Sequence, residues 1–153
     1  MGLIKESNGV DFVIKSEPLT FVINRDDKIE YVAADAFRIE TELSRLFHDI
    51  EMLKRKELSE EECFYFASLI HLVLVKIHPF QDGNGRAGRL IEKWFLIETI
   101  GDRATAVQLK KNYYLNLELY YQNIKQIGLE YDSLNYEKSL AFLLMTVNSI
   151  SGE

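Results

Sequence analysis

The run from Ser59 to Ile77 constrains the fold more than any other stretch. Ser59 and Glu62 have the spacing of a capping box, with Leu58 placed to staple onto Cys63, so a helix starts there. It continues through Phe64, Phe66, Leu69, Ile70, Leu72, Val73, Leu74, Val75 and Ile77, apolar on nearly every face. A helix of that kind has to be buried, so the rest of the chain must pack around it. His71, inside the run, reads as a satisfied core histidine, and Cys63 as a small buried hydrophobe. The post ends at His78-Pro79, because proline has no N–H to donate and disfavours helical geometry at the residue before it.

Beyond the post the chain enters a polar loop, His78-Pro79-Phe80-Gln81-Asp82-Gly83-Asn84-Gly85-Arg86-Ala87-Gly88-Arg89. Gly83 and Gly85 permit positive φ and close backbone approach, and Asn84 between them tolerates the left-handed region. Successive N–H groups of such a loop form an anion nest, and a helix starting near Arg86 adds its positive end. Arg86 and Arg89, three apart, can face one ligand with two guanidinium forks. Asp82 can hold Mg²⁺, which typically takes one or two carboxylates plus substrate phosphates. His78 is the candidate base of the loop. Any one of these residues alone reads as an ordinary helix connection or cap; their joint occurrence points to a phosphate site. No G-x-x-x-x-G-K-[ST] pattern is present and no strand precedes the loop, which excludes Walker and Rossmann sites.

At these residues the chain resembles the Fic family, with signature H-P-F-x-[DE]-G-N-G-R-x-G-R; all ten defined positions of the twelve match. The likeness extends over roughly residues 19 to 127. It implies an all-α, Fic-type helical domain with a central helix–loop–helix anion site and a small β-hairpin flap. It also implies transfer of AMP from Mg-ATP to a Ser, Thr or Tyr hydroxyl of a target protein. Carried over by position, His78 is the base, Phe80 anchors the loop, and Asp82 holds Mg²⁺. Gly83, Asn84 and Gly85 cradle phosphates, Arg86 binds the phosphates and Arg89 the γ-phosphate. The related Doc toxins, whose loops depart from the signature, do kinase-like chemistry. Two rival readings stay open: removal of AMP from a modified protein, with Glu153 directing water, and a non-catalytic nucleotide-sensing or partner-binding module.

The remaining segments are read as support for this loop. Residues 1–18 form a loose leading segment with a short strand around Phe12-Val13-Ile14. Residues 19–34 read as a hairpin: Phe21-Val22-Ile23, a polar turn, then Ile29 to Val32. The resemblance makes this hairpin a flap, with Phe21, Val22, Ile23, Ile29 and Tyr31 docking an extended target segment by strand addition. The helical core spans 35–150. Asp35 caps a helix with the stripe Phe37, Leu43, Leu46, Phe47, Ile50 and Leu53, on which His48 is a surface residue. After the loop, Leu90, Ile91, Trp94, Phe95, Leu96 and Ile97 carry a second buried helix to Gly101. A single helix is expected from about Gln108 to Ile127, stopped by Gly128, and a last one from about Tyr136 with Leu140, Leu143, Leu144, Val147 and Ile150 closing the core. Tyr113 and Tyr114 resemble the aromatics the family places near adenine; packing with wet hydroxyls is the alternative for each.

At the C-terminus, Ser149-Ile150-Ser151-Gly152-Glu153 fits five positions of the family's inhibitory [ST]-x-x-x-E-[GN] helix, in which Glu153 would pair with Arg89. A frayed end matching a permissive pattern is the other reading. With 153 residues, 47% of them hydrophobic, the chain reads as a single soluble domain large enough to bury a core. No run of about 18 apolar residues is present, so no membrane span is expected. One cysteine and no signal-like opening lead to a reducing cytosol as the expected compartment. The net charge of −6 argues against nucleic acid. Around the loop, Lys76, Arg86, Arg89 and Lys93 against Asp82 and Glu92 make a local +2, gathered where an anion would bind. The identity of the target, self-modification and oligomeric state are left open by the sequence.

Overall fold

The structure is a computed structural model, and it describes residues 4–5, 11–12, 15, 21–23 and 26–150. Six α-helices make the domain: α1 (Ile39–Lys54), α2 (Glu60–Ile77), α3 (Asn84–Ile100), α4 (Leu109–Leu115), α5 (Leu117–Gln126) and α6 (Leu140–Val147). Ser59 caps α2 in the expected box: its Oγ accepts from Glu62 N at 3.2 Å, and Glu62 Oε2 accepts from Ser59 N at 2.8 Å. This helix is the buried post, with Ala67, Leu72, Val75 and Ile77 all shielded from solvent. Its main partner is α3; α1 and α6 pack on its other sides.

Two short antiparallel ribbons flank the helices. β3 (Phe21–Ile23) pairs with β4 (Ile29–Val32), with partners Phe21↔Val32, Val22↔Tyr31 and Ile23↔Ile29 and a bulge between Val22 and Ile23. β1 (Ile4–Lys5) pairs with β2 (Asp11–Phe12). The strand expected around Phe12 thus starts at Asp11, while Val13 and Ile14 lie outside the described residues. No helix among the described residues is long and apolar enough to cross a membrane.

Several expectations need correction. Asp35 precedes a 3₁₀ turn, Ala36–Arg38, without a side-chain cap, and Phe37 is 88% exposed rather than part of the stripe; Phe47 is exposed as well. The side of α1 that is buried carries Ile39, Leu46 and Ile50. On α3 only one face is covered, by Gly88, Glu92, Phe95 and Leu96, while Leu90, Trp94 and Ile97 meet solvent. The single helix expected from 108 to 127 is two. Asn116 breaks it at φ −119°, ψ 38°, and its side-chain Nδ2 donates to Asn112 O at 2.8 Å, the carbonyl that its own N–H also uses. Tyr136–Lys138 is a 3₁₀ turn and α6 starts at Leu140. Phe142, Leu143, Met145 and Thr146 are its buried residues, whereas Leu140, Leu144, Val147 and Ile150 are exposed. In a segment as uniformly apolar as Leu140–Val147, periodicity cannot select the inner face. Gly101 and Gly128 stop the chain as expected, at φ 63° and 131°.

Candidate active site

The loop between α2 and α3 is held by its own polar groups. His78, the C-cap of α2, adopts the left-handed conformation (φ 53°, ψ 57°) and donates its N–H to Leu74 O at 2.9 Å. For a residue with a Cβ this costs about 1–2 kcal/mol, a local strain of the kind found at functional sites. It is the geometry left when Pro79 disfavours continuation of the helix. Lys15 ties the leading segment to the loop, donating its backbone N–H to Pro79 O at 2.9 Å and its Nζ to Ala34 O at 2.7 Å.

Phe80 is buried, and Asn84 latches its backbone at both ends: Oδ1 accepts from Phe80 N at 2.9 Å and Nδ2 donates to Phe80 O at 2.8 Å. Within the Gly83-Asn84-Gly85 turn the left-handed residue is therefore Gly83, at φ 84°, and α3 begins at Asn84, two residues before the expected start. Asn84's side chain is spent on the loop, so what it can offer an anion is its backbone N–H. Gly85 lies in the first turn of α3. A Cβ placed there would stand 3.5 Å from Arg89 Nη1 and 3.9 Å from the Tyr120 hydroxyl, so its bare face opens onto those two groups.

A cleft of about 280 Å³ brings together His78, Asp82, Gly83, Asn84, Gly85, Arg86 and Arg89 with Val22 and Tyr31 of the hairpin. Burial lowers the His78 imidazole to about 4, with the Lys15 ammonium adding to the effect and the Val75 carbonyl and Asp82 opposing it. The ring is thus neutral at physiological pH and able to accept a proton. Tyr31, expected as a docking residue, is only 3% exposed. Its hydroxyl donates to Val75 O at 2.8 Å and lies 3.2 Å from His78 Nδ1. Ile23 and Ile29 are solvent-exposed outside the cleft, and the side chain of Phe21 lies outside those described.

Neither Tyr113 nor Tyr114 lines the cleft. Tyr114 is 78% exposed, and Tyr113 is buried with its hydroxyl donating to Glu92 Oε2 at 3.2 Å and meeting Thr146 Oγ1 at 3.2 Å. Besides Tyr31, the tyrosines lining it are Tyr120 and Tyr121 on α5. Tyr120 OH lies 3.1 Å from Nε2 of the fully buried His71, whose Nδ1 lies 2.6 Å from Glu92 Oε2. Burial pushes the Tyr120 phenol far up, so it is neutral beside Arg89. Lys15, Glu92 and the Tyr120–Tyr121 pair were missed by sequence reasoning. The available signal was a histidine and a glutamate set into the two helices that flank the loop, and Tyr120 seven residues, two turns, after Tyr113. Ser149 is buried, with Oγ donating to Met145 O at 2.8 Å and its carbonyl accepting from Gln108 N at 2.7 Å. Glu153 lies outside the described residues.

Asp82 has an 89% exposed side chain with Oδ2 3.4 Å from Arg86 Nη2. No cluster of three or more His, Cys, Asp or Glu residues suited to a metal occurs among the described residues. A single exposed carboxylate next to anion-binding backbone fits Mg²⁺ carried in on phosphates, and does not fit an all-protein cage. A larger groove of about 590 Å³ lies between α1, α2 and the turns around Tyr131 and Tyr136. Its floor of Leu46, Leu53, Leu69 and Val73 and its rim of Glu42, Arg45 and Asp49 carry apolar surface and mixed charge, without the histidine, glycines and paired arginines of the smaller cleft. The residues expected to carry chemistry line the smaller cleft.

Comparison with known proteins bears on the family and the fold. A family model described as the Fic/DOC family matches residues 5–96. None of the curated proteins matches the chain. Among solved structures, the crystal structure of BepC, a VirB-translocated Bartonella effector protein from Bartonella tribocorum with bound AMPPNP, is similar at TM-score 0.65 and 17% identity. The alignment covers 99% of this chain and 63% of that one, so this chain spans less than two thirds of its length. At that identity the likeness concerns the fold.

Proposed function

The chain belongs to the Fic/DOC family, and on that premise we propose that it is a protein adenylyltransferase, moving AMP from ATP to a Ser, Thr or Tyr hydroxyl of a target protein. One observation carries the reading. The same cleft is lined by a neutral imidazole, His78, held beside the Tyr31 hydroxyl, by the two guanidinium groups of Arg86 and Arg89, and by the first residues of α3. The binding of an ATP analogue by the BepC structure is consistent with it.

His78 Nε2 takes the proton of the target hydroxyl, whose oxygen attacks the α-phosphorus of ATP. The bond from that phosphorus to the bridging oxygen breaks, and pyrophosphate leaves. The N–H groups opening α3, with Arg86 and Arg89, hold the phosphates and stabilise the charge that develops. Asp82 would hold Mg²⁺ against those phosphates, and the ion would supply further charge neutralisation. An imidazole titrating near 4 is a weak base, so its assistance falls at the low end of the ~10²–10⁴-fold expected of general bases, and positioning carries the larger share. Glu153 pairing with Arg89 would restrain the reaction; transfer unchanged in Glu153→Gly would remove that part of the proposal.

The deciding experiment supplies Mg²⁺ and ATP labelled at the α- or the γ-phosphate, with and without cell lysate, and uses His78→Ala as control. Label arriving on protein only from the α-phosphate, and lost in His78→Ala, is the expected result. Transfer from the γ-phosphate would replace the reading by a kinase. Absence of both, with release of AMP from a modified protein, would replace it by AMP removal.

A further inference from the structure

We propose that Tyr31 is a positioning residue for His78: its hydroxyl, carried on the flap strand β4, fixes the tautomer and orientation of the base. The proposal rests on the reading of His78 given above and adds how the base is set.

A phenol has one hydrogen to donate. That hydrogen goes to Val75 O at 2.8 Å, since a carbonyl can only accept. Toward His78 Nδ1, 3.2 Å away, the same oxygen must therefore act as acceptor, and Nδ1 must carry the proton. In a neutral ring this leaves Nε2 bare, with its lone pair available to a target hydroxyl. The opposite tautomer would set two lone pairs against each other and present an N–H where an acceptor is required.

Tyr31 is itself held firmly. Lys76 Nζ sits 4.5 Å from the centre of its ring and donates to Gly128 O at 2.8 Å, while Val32 N donates to Leu129 O at 2.8 Å. The rings of Tyr31 and His78 meet edge to face, 6.0 Å apart at 78°. Across the ribbon, Tyr31 is paired with Val22, which also lines the cleft. The strand paired with Val22 thus also carries the group that aims the base, and a displacement of β4 would reach His78 through this hydroxyl, which shares the Val75 carbonyl with the imidazole. A purely structural tyrosine would need its hydroxyl only for Val75.

Long-range ¹⁵N–¹H correlation of the His78 ring, in the wild type and in Tyr31→Phe, tests this without turnover. The expected result is the Nδ1–H tautomer in the wild type and a shift toward Nε2–H, or exchange between the two, in the variant. The phenylalanine ring keeps its place over Lys76, so the variant should fold. In the transfer assay, Tyr31→Phe should lower kcat about tenfold to a hundredfold with KM for ATP changed less than twofold. An Nε2–H tautomer in the wild type, or an unchanged ring and kcat in the variant, would overturn the proposal. Absence of α-phosphate transfer in the wild type with the Nδ1–H tautomer intact would count against the adenylyltransferase reading instead.

Discussion

Nδ1 of His71 lies 2.6 Å from Oε2 of Glu92, and this fully buried pair joins α2 to α3 inside the core. The same carboxylate accepts from Tyr113 and Thr146, and the other imidazole nitrogen meets the Tyr120 hydroxyl. Glu92→Ala would remove the shared acceptor of three buried polar groups at once. It should destabilise the domain by about 3–5 kcal/mol, with Glu92→Gln costing less because it keeps an acceptor. Urea titration of both variants measures this; two curves matching the wild type would show that the cluster is not holding the helices together.

Gly88 of α3 packs its bare backbone against that histidine. A Cβ there would lie 2.5 Å from His71 Cδ2, 2.8 Å from Nε2 and 3.1 Å from Val75 Cγ1. Since both neighbours sit in the buried post, they have little room to give. Gly88→Ala should cost about 1–3 kcal/mol and displace His71 from Tyr120, seen as a lower thermal midpoint together with weaker nucleotide binding. Gly101→Ala, by contrast, meets no neighbouring atom within 4 Å, and its cost should come only from its φ of 63°.

The loop and its two helices were legible in the sequence because strong local signals coincided: a capping box, an all-round apolar run, a proline stop and a glycine-rich turn. What escaped depended on long-range partners. Nothing local in Tyr31 says that its hydroxyl reaches Val75 and His78, 44 and 47 residues away. Tyr113 and Tyr120 fall on one helical face by spacing, but the break at Asn116 and the buried carboxylate of Glu92 decide which one sees the cleft. The inner face of α6 was misread for the opposite reason, an excess of apolar residues with no polar face to set the phase.

The pH response should be set by His78. Its folded value of about 4 lies below the ordinary 6.5, so the unfolded chain binds more protons across that interval. Stability contributed by the neutral ring is thus complete above pH 6.5 and declines as pH falls toward 4. Transfer should show no inflection near 6.5 attributable to this base. Lys15→Met removes the ammonium that helps hold the value down, and should move the His78 titration upward in an NMR series. A titration left unmoved in Lys15→Met would assign the whole depression to burial.

The hairpin has one edge better placed than the other to receive a target. On β4, Val32 N is already engaged by Leu129 O, whereas β3 pairs with β4 on one side alone among the described strands. An extended segment joining the ribbon would therefore add along β3, next to Val22 in the cleft. Ile23, 55% exposed, and its cross-strand partner Ile29, 45% exposed, offer apolar surface beside that edge. Ile23→Asp should leave the unfolding midpoint nearly unchanged, as surface substitutions usually stay within about 0.5 kcal/mol. It should raise KM for the protein target about tenfold while leaving nucleotide affinity alone, because the proposed function assigns the phosphates to a separate element, the N-terminus of α3. Equal losses in target modification and in ATP binding would instead place Ile23 in the support of the cleft, and an unchanged KM would move the docking edge elsewhere.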